Sequence, residues 1–499
     1  MRKHLSPILL LLSLSCVVIV SACNSGYSDP NTPGPQPPAE PHASVLSECG
    51  ATIRLPGTYS LSSGLTTDLD GEPCISIAQV NNVTLDCQGN SITGTGDYGI
   101  GVLNVENLVI KNCGVATGNN NVISIFLALN NVNGATVADC TFGSNQGYLG
   151  EVLISDSTNV IFGAQLPSAP MNPSVTATTN PSISPLLSNA PPASNTVYGL
   201  IQAYNNVKLV IEGDALTSDT TTTLNPFMIG IGGNQDTQVV KNTVNGLGNP
   251  ISYLQGPLTG SDDDILIEDE TGPLSLVSGN VLVNTFDCAV ETVGFMKDIG
   301  ISKNYIDTVT FAFGGEYYLS VTDAQYAGNA MTNIMRQGFY YVRSGPLRPA
   351  GAQNLPYFFY PIPAHMPAES TINFTQNQFN GNTLSQPLLF NGELLAQPVV
   401  IPVYTTMGYG ARGLPGTDPT LQQFITVDNI FTDNIFDKAL GPLYFNWPLP
   451  WTYTNDDVID GGGNVCAPSQ VSLPSVSPTF SDQTVPLSSI TPIDCRSGS

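Results

Sequence analysis

The sequence predicts an all-β fold, a single-stranded parallel β-helix (a solenoid) with caps at both ends and long loop insertions. Two observations predict it. The segments "NNVTLDCQGNSI", "ENLVIKNCGV", "GATVADCTF" and "TNVIFGAQL" place Val83, Leu108, Ala135 and Val160 at steps of 25, 27 and 25, with apolar residues alternating inside each. Alternation with period two is the mark of a strand. Further along, "SGNVLVNTFD", "SKNYIDTVTF" and "AGNAMTNIMR" repeat small residue, Asn, apolar residue, with Asn280, Asn304 and Asn329 spaced by 24 and 25.

A unit this short cannot bury a face alone, so equivalent strands must stack turn upon turn. Each then lies about 4.8 Å above its predecessor, and roughly a dozen coils would make a rod about 60 Å long. Asparagines stacked at a corner bond amide to amide along the rod. On this reading Asn280, Asn304 and Asn329 are rungs of one ladder. Asn377 joins them after 48 residues, two steps of 24, and Asn434 after a further 57 that contain an insertion. A leucine-rich solenoid needs a repeated Leu spacing that is missing, and a β-propeller needs a longer repeat.

"NNVTLDCQGNSITG" followed by "NLVIKNCGV" resembles the repeats of right-handed parallel β-helix proteins of the pectin-lyase-like superfamily, and "CGATIRLPGTYSL" to "CISIAQVNNVTLDCQGNSI" resembles the lead-in of its bacterial members. The resemblance covers Cys49 to Cys466 between insertions. It implies a fold and leaves the activity open, because one scaffold hosts many chemistries. A polygalacturonase-like hydrolase would need Asn-Thr-Asp, Asp-Asp and Gly-His-Gly elements. Only "DD" is present, and past the first 22 residues the histidines are His42 and His365.

The chain opens with Arg2 and Lys3, an apolar run from Ile8 to Val20, and small residues ending in "VSAC". That is the plan of an export signal. The ending resembles the lipobox of bacterial lipoproteins, which implies removal of residues 1–22 and acylation of Cys23, with palmitate among the acyl groups. Asn24 is not the Asp associated with inner-membrane retention, so the resemblance implies an outer-membrane anchor. Residues 23–47 are Pro-rich and form an extended tether. The membrane is thus a partner through lipid alone.

The remaining boundaries follow the repeat: the β-helix domain occupies 48–466, with an N-terminal cap over 48–80 and insertions at 164–197 and 340–370, and 467–499 forms a C-terminal cover. Formal net charge is −25, yet only 11% of residues are charged. Such acidity argues against nucleic acid as a partner. With Cys16 removed and Cys23 acylated, eight cysteines are left in an exported chain, which points to disulfides. Cys49 with Cys74, and Cys466 with Cys495, are candidate pairs at the two caps. Cys87, Cys113 and Cys140 recur at steps of 26 and 27. They allow one bond between neighbouring coils or a row of buried thiols. No Cys/His spacing suggests a metal, and no cofactor is predicted.

Candidate functional residues fall where the repeat breaks. Tyr318, Tyr341, Trp447 and Trp451 are candidate glycan contacts, since a sugar packs its C–H face on an aromatic ring. Glu316 and Tyr341 lie at one offset from the asparagine column, and Tyr318 and Arg343 at another, which would align them in one groove. Arg343, Glu316 and Arg348 are candidates for base, carboxylate and substrate clamp if the protein is a polysaccharide lyase or hydrolase. The run "SDDDILIEDE" offers carboxylates for calcium, but consecutive Asp residues alternate sides in a strand, and a solvated acidic loop is the preferred reading. The favoured function is a surface scaffold that binds a polysaccharide or surface glycan; the alternatives are a lyase or glycoside hydrolase acting on a uronate-containing glycan, and an adhesin.

Overall fold

The computed structural model describes residues 42–69, 71–96, 98–117, 124–143, 150–163, 194–218, 224–251, 260–315, 320–343, 371–385, 389–390, 393–394, 397–404, 423–436, 444–445, 458–466 and 491–492. Within them there is no helix, and nearly every strand pairs in parallel. The register follows the sequence repeat: Val83 pairs with Leu108, Leu108 with Ala135, and Ala135 with Val160. The chain is a right-handed parallel β-helix.

One face shows the winding best. It begins at His42–Leu46, continues through Gly57–Leu61, Asn81–Asp86 and the second halves of Tyr98–Lys111 and Ser124–Ala138, and then passes to Thr158–Gly163 and Val207–Glu212. From there it runs through Gln238–Val240, Leu276–Ser278, Gly300–Ser302, Gln325–Ala327, Gln378–Asn380 and Asn429–Thr432 to Val458–Gly462. Those fourteen stacked strands leave two other main faces, which include Thr243–Asn245 on one and Gly260–Glu268 on the other. Alternate residues point inward, so Leu85, Ile110, Val137, Phe162, Ile211, Val239, Val277 and Ile301 are fully buried or nearly so. In the last coils the inner file becomes aromatic, with parallel rings at 4.7 Å for Tyr326 on Phe379 and 4.2 Å for Phe379 on Phe431.

The asparagine column is formed. Asn280 Nδ2 donates to Asn304 Oδ1 at 3.0 Å, and Asn304 Nδ2 to Asn329 Oδ1 at 3.0 Å. The next rung is Asn382, at 2.9 Å, followed by Asn434 and Asn464. Asn377 therefore is not in this column. It belongs to a separate stack, bonded to Asn429 at 2.8 Å. Asn329 and Asn382 are adjacent rungs 53 residues apart, so the equivalent position falls five residues later than two 24-residue steps would put it.

Parallel pairing begins at His42, ahead of the expected cap, and the stretch 48–80 already carries strands of the coil, such as Gly57–Leu61 and Ile75–Ala78. After the insertion at 164 pairing resumes at Thr196, and the strand before 344 runs on to Arg343. At the far end, Thr491–Pro492 returns antiparallel to Tyr444–Phe445. A strand added this way covers an edge that would otherwise expose unpaired backbone. Cys49 and Cys74 are disulfide-bonded with Cα atoms 4.3 Å apart, as are Cys87 and Cys113 at 4.8 Å. Cys140, next in that row, is a buried free thiol whose pKa desolvation pushes up to about 12.

Candidate functional site

Of the residues singled out in the sequence, Glu316, Tyr318, Arg348, Trp447, Trp451, Cys495 and Cys23 lie outside the described residues. Tyr341, Arg343 and Cys466 are placed as backbone only. Tyr341 pairs with Gly315 rather than standing level with Glu316, and Arg343 pairs with Tyr404. A β-bulge causes the slip: Val309 pairs with Ile334, but Phe311 pairs with Gln337, so the later strand carries one extra residue. One residue of slip turns a side chain to the opposite face. The bulge shifts the register before Tyr341 by one residue, and Glu316 itself lies outside the described residues.

The acidic run is not a loop. Gly260–Glu268 is a strand held between Leu224–Gly232 and the second half of Val281–Val293. Ile265 and Ile267 are drawn into the core, and the acids beside them go under cover with them. Asp263 is 3% exposed and Asp264 fully buried. The reading as a solvated loop is thus corrected; the strand pairing on both sides outweighs the preference of carboxylates for water.

Asp263 does not act with its chain neighbours alone. It hydrogen-bonds with the side chain of Glu291, which comes from the next coil, and feels the charges of Asp262 and Asp287. Its Oδ1 also accepts the Cys288 backbone N–H at 3.2 Å. Burial foremost, then the neighbouring Glu291 charge, pushes the Asp263 carboxyl well above the usual carboxylate range. A neighbouring carboxylate charge disfavours ionisation of a buried carboxyl, so Asp263 is held toward its protonated form. Glu291, Asp262 and Asp287 are only partly buried, which gives this pair a side open to solvent. Asp264 next door is likewise raised by desolvation, and both of its carboxyl oxygens are buried without a hydrogen-bond partner.

Bulges mark this place. Register shifts occur between Thr285 and Cys288, and again between Val309 and Phe311 on the coil above. Bulges re-aim side chains and collect near functional sites in β-proteins. Here the first one sets Asp287 and Cys288 beside Asp263. Nearby, Asp307 accepts from Asn333 Nδ2 and the Thr308 hydroxyl at 2.7 Å each and from the Tyr305 hydroxyl at 3.1 Å. Burial, followed by that carboxylate, pushes the Tyr305 hydroxyl beyond its ordinary range.

A concavity lies on the first coils. It is a groove of about 540 Å³ whose floor includes Gly114, Ala116 and Gly143 and whose rim includes Gln88, Asn112 and Asp139. The rim residues share the left-handed conformation and follow one another coil by coil. Its lining carries a single ionisable acid and no base, so it is shaped for contact rather than for proton transfer. The Asp263–Glu291 pair is the better candidate for chemistry.

Fold and site together define a right-handed parallel β-helix in which a buried acid, Asp263, lies against the partly buried Glu291 of the next coil. No protein-family model matches the chain, and no curated protein matches it. Among solved structures it is similar to tailspike protein 3 of bacteriophage CBA120, with 9% identity over 86% of this chain and a TM-score of 0.44; the chain spans 56% of that tailspike's length. It is also similar to the A-module of the mannuronan C-5 epimerase AlgE6 of Azotobacter vinelandii, with 10% identity, 70% of this chain, 91% of that one and a TM-score of 0.33. A third likeness is to the catalytic unit of a GH87 α-1,3-glucanase from Streptomyces thermodiastaticus, with 10% identity, 87% of this chain, 65% of that one and a TM-score of 0.27.

Proposed function

We propose that the protein is a carbohydrate-active β-helix of the cell envelope that cleaves a glycan by general acid–base catalysis. The observation that carries this reading is the pairing of Asp263 with Glu291 across two coils, with Asp262 and Asp287 beside them. Asp263 holds the proton, since burial disfavours its charge, and Glu291 is the partner that accepts its hydrogen bond. From that state the pair donates a proton to a leaving glycosidic oxygen, while a neighbouring carboxylate, Asp287 or Asp262, takes a proton from the attacking water. The Cys288 N–H fixes the orientation of the Asp263 carboxyl.

A glycan fits this surface because so few residues are charged, and the polar exposed groups are amides and hydroxyls that match sugar hydroxyls. The glycan-binding scaffold is the second reading, and the groove beside Gln88 and Asn112 favours it. In either case we place the domain on the outer membrane through acylated Cys23, with residues 23–41 as spacer. Labelling cells with an alkyne fatty acid tests the anchor, and Cys23→Ala is expected to abolish the label.

The catalytic reading is tested on protein beginning at Asn24, incubated with neutral and uronate polysaccharides while new reducing ends and unsaturated ends are measured. Reducing ends are expected, with Asp263→Asn and Glu291→Gln each lowering the rate by about 10² or more. Activity should fall as pH rises, because the pair must keep its proton. Binding of a glycan with no new ends from any member of the panel would replace hydrolysis by the scaffold reading.

A further inference from the structure

Every fully formed rung of the main asparagine column makes the same bonds. Asn280 shows the pattern: its Nδ2 donates to Asn304 Oδ1 in the next coil at 3.0 Å and to the Val239 carbonyl at 2.9 Å, while its own Oδ1 accepts the Asn242 N–H at 2.9 Å. Asn304 and Asn329 repeat it, donating to the carbonyls of Val277 and Ile301 at 3.0 Å each. Each side chain is a donor on one side and an acceptor on the other. An amide satisfies both demands.

One rung is not an amide. Asp214 lies between Asn195 and Asn242: its Oδ1 accepts the Asn195 N–H at 2.9 Å, and its own N–H donates to Asn242 Oδ1 at 3.0 Å. So far it behaves as an Asn would. Its Oδ2, however, is buried without a hydrogen-bond partner, on a residue only 1% exposed. That oxygen takes the place of the amide nitrogen. The rungs on either side show what the nitrogen would face, because Asn195 Nδ2 donates to the Val137 carbonyl at 3.0 Å and Asn242 Nδ2 to the Ile211 carbonyl at 2.9 Å. Val137 pairs with Phe162 and Phe162 with Ile211, so the group addressed at the Asp214 level is the Phe162 carbonyl, with Asn242 Oδ1 on the other side. Both are acceptors, and an ionised carboxylate has no donor to offer them.

We propose that Asp214 stands in the folded protein as a neutral carboxylic acid, its Oδ2–H replacing the amide donor of the column, and that this rung makes the joint between neighbouring coils sensitive to pH. The surroundings agree. Burial foremost raises the carboxyl well above its usual range, with the Glu212 charge adding to it and hydrogen bonds from Asn195 only partly opposing it. On its own strand-and-turn, Glu212 is ion-paired to Lys241 of the following coil at 2.7 Å. Two coils back, beyond the Asn195 rung, the titratable neighbour is the Cys140 thiol, pushed up to about 12 and thus uncharged. Lys241, beside the next rung at Asn242, is engaged by Glu212.

The sign follows from proton uptake. The folded state keeps a proton that the opened state releases above the ordinary Asp range, so stability of this joint falls as pH rises from there. Native-state hydrogen exchange reads it at the Asn195 amide, which bonds to Asp214 Oδ1, and at the Thr243 amide, which bonds to the Asp214 carbonyl at 2.8 Å. Above the ordinary Asp range, after correction for intrinsic exchange, the opening constant at both amides is expected to rise with pH in the unaltered protein, by up to about tenfold per pH unit until the folded carboxyl itself ionises. In Asp214→Asn it should be flat and lower throughout. An infrared difference between the two proteins at pH 7 should show a protonated carboxyl band. A flat profile in both proteins, or faster opening at pH 8 in Asp214→Asn than in the unaltered chain, overturns the proposal. Asp214→Ala, which lacks donor and acceptor alike, should open fastest but without pH dependence, so loss of packing alone is recognised.

Discussion

Replacing Asn304 by Ala tests whether the ladder holds the coils together or merely decorates them. The side chain takes part in four contacts: Oδ1 accepts from the Asn280 N–H at 3.1 Å and from Asn280 Nδ2 at 3.0 Å, and Nδ2 donates to the Val277 carbonyl and to Asn329 Oδ1 at 3.0 Å each. Truncation leaves two backbone groups, the Asn280 N–H and the Val277 carbonyl, without these partners in a place where Asn280 and Asn304 are each 1% exposed. An orphaned buried polar group costs about 1–3 kcal/mol, so the expected loss is about 4 kcal/mol at this joint. In a stacked array the loss is felt by the adjoining coils first. Hydrogen exchange of the Tyr305 amide, which bonds to the Asn280 carbonyl at 2.8 Å, is therefore the appropriate readout. Its protection should fall about a thousandfold, that figure being the same free energy at 1.4 kcal/mol per tenfold. The comparison is Asn81→Ala, an exposed rung whose Nδ2 reaches Glu106 at 3.2 Å and whose loss should stay within about 0.5 kcal/mol. Equal effects from the two substitutions would refute the claim that buried amide stacking is a main source of cohesion between coils.

Two further outcomes follow from packing and connectivity. The Cys49–Cys74 bond closes a sequence separation of 25, so Cys74→Ser should lower stability of the first coils by about 3.5 kcal/mol on the chain-entropy relation, measured as earlier urea unfolding; an unchanged midpoint would contradict it. Gly150 admits no methyl, because a Cβ there would lie 1.9 Å from Cζ of the fully buried Phe126 ring. Gly150→Ala should cost about 1–3 kcal/mol and lower the melting temperature, whereas Gly300→Ala, whose methyl meets Leu276 Cδ1 at 3.0 Å, should cost less.

The physics of stacking explains what was legible in the chain and what was not. Val83, Leu108, Ala135 and Val160 could be aligned from the sequence because equivalent inward positions all meet the same demand for an apolar side chain, coil after coil. Asn280, Asn304 and Asn329 could be aligned because each must donate and accept along one axis. A count by fixed steps lands on Asn377 because "NQFNGN" supplies asparagines at 377, 380 and 382, of which only the last completes a rung of the main column. A bulge between Val309 and Phe311 changes the count by one before Tyr341, which a fixed offset from the asparagine column does not register.

The acid pair was missed through a choice of direction. Along the strand Asp262, Asp263 and Asp264 are neighbours that diverge, so reading in that direction shows no convergence. A β-helix builds its sites across strands. Asp263 meets Glu291 at a separation of 28 residues and Asp287 at 24, one coil later in each case. The signal was present as acidic residues recurring at the repeat length, and it becomes visible when side chains are compared one coil apart rather than one residue apart. The same comparison exposes Asp214, an acid in a column of amides, and it separates the two cases by what each lacks. At Asp214 the backbone around the side chain is regular and its Oδ2 is enclosed, so the anomaly concerns stability. At Asp263 the register is broken by bulges and the partner acids reach solvent, so proton exchange with a bound molecule has a route.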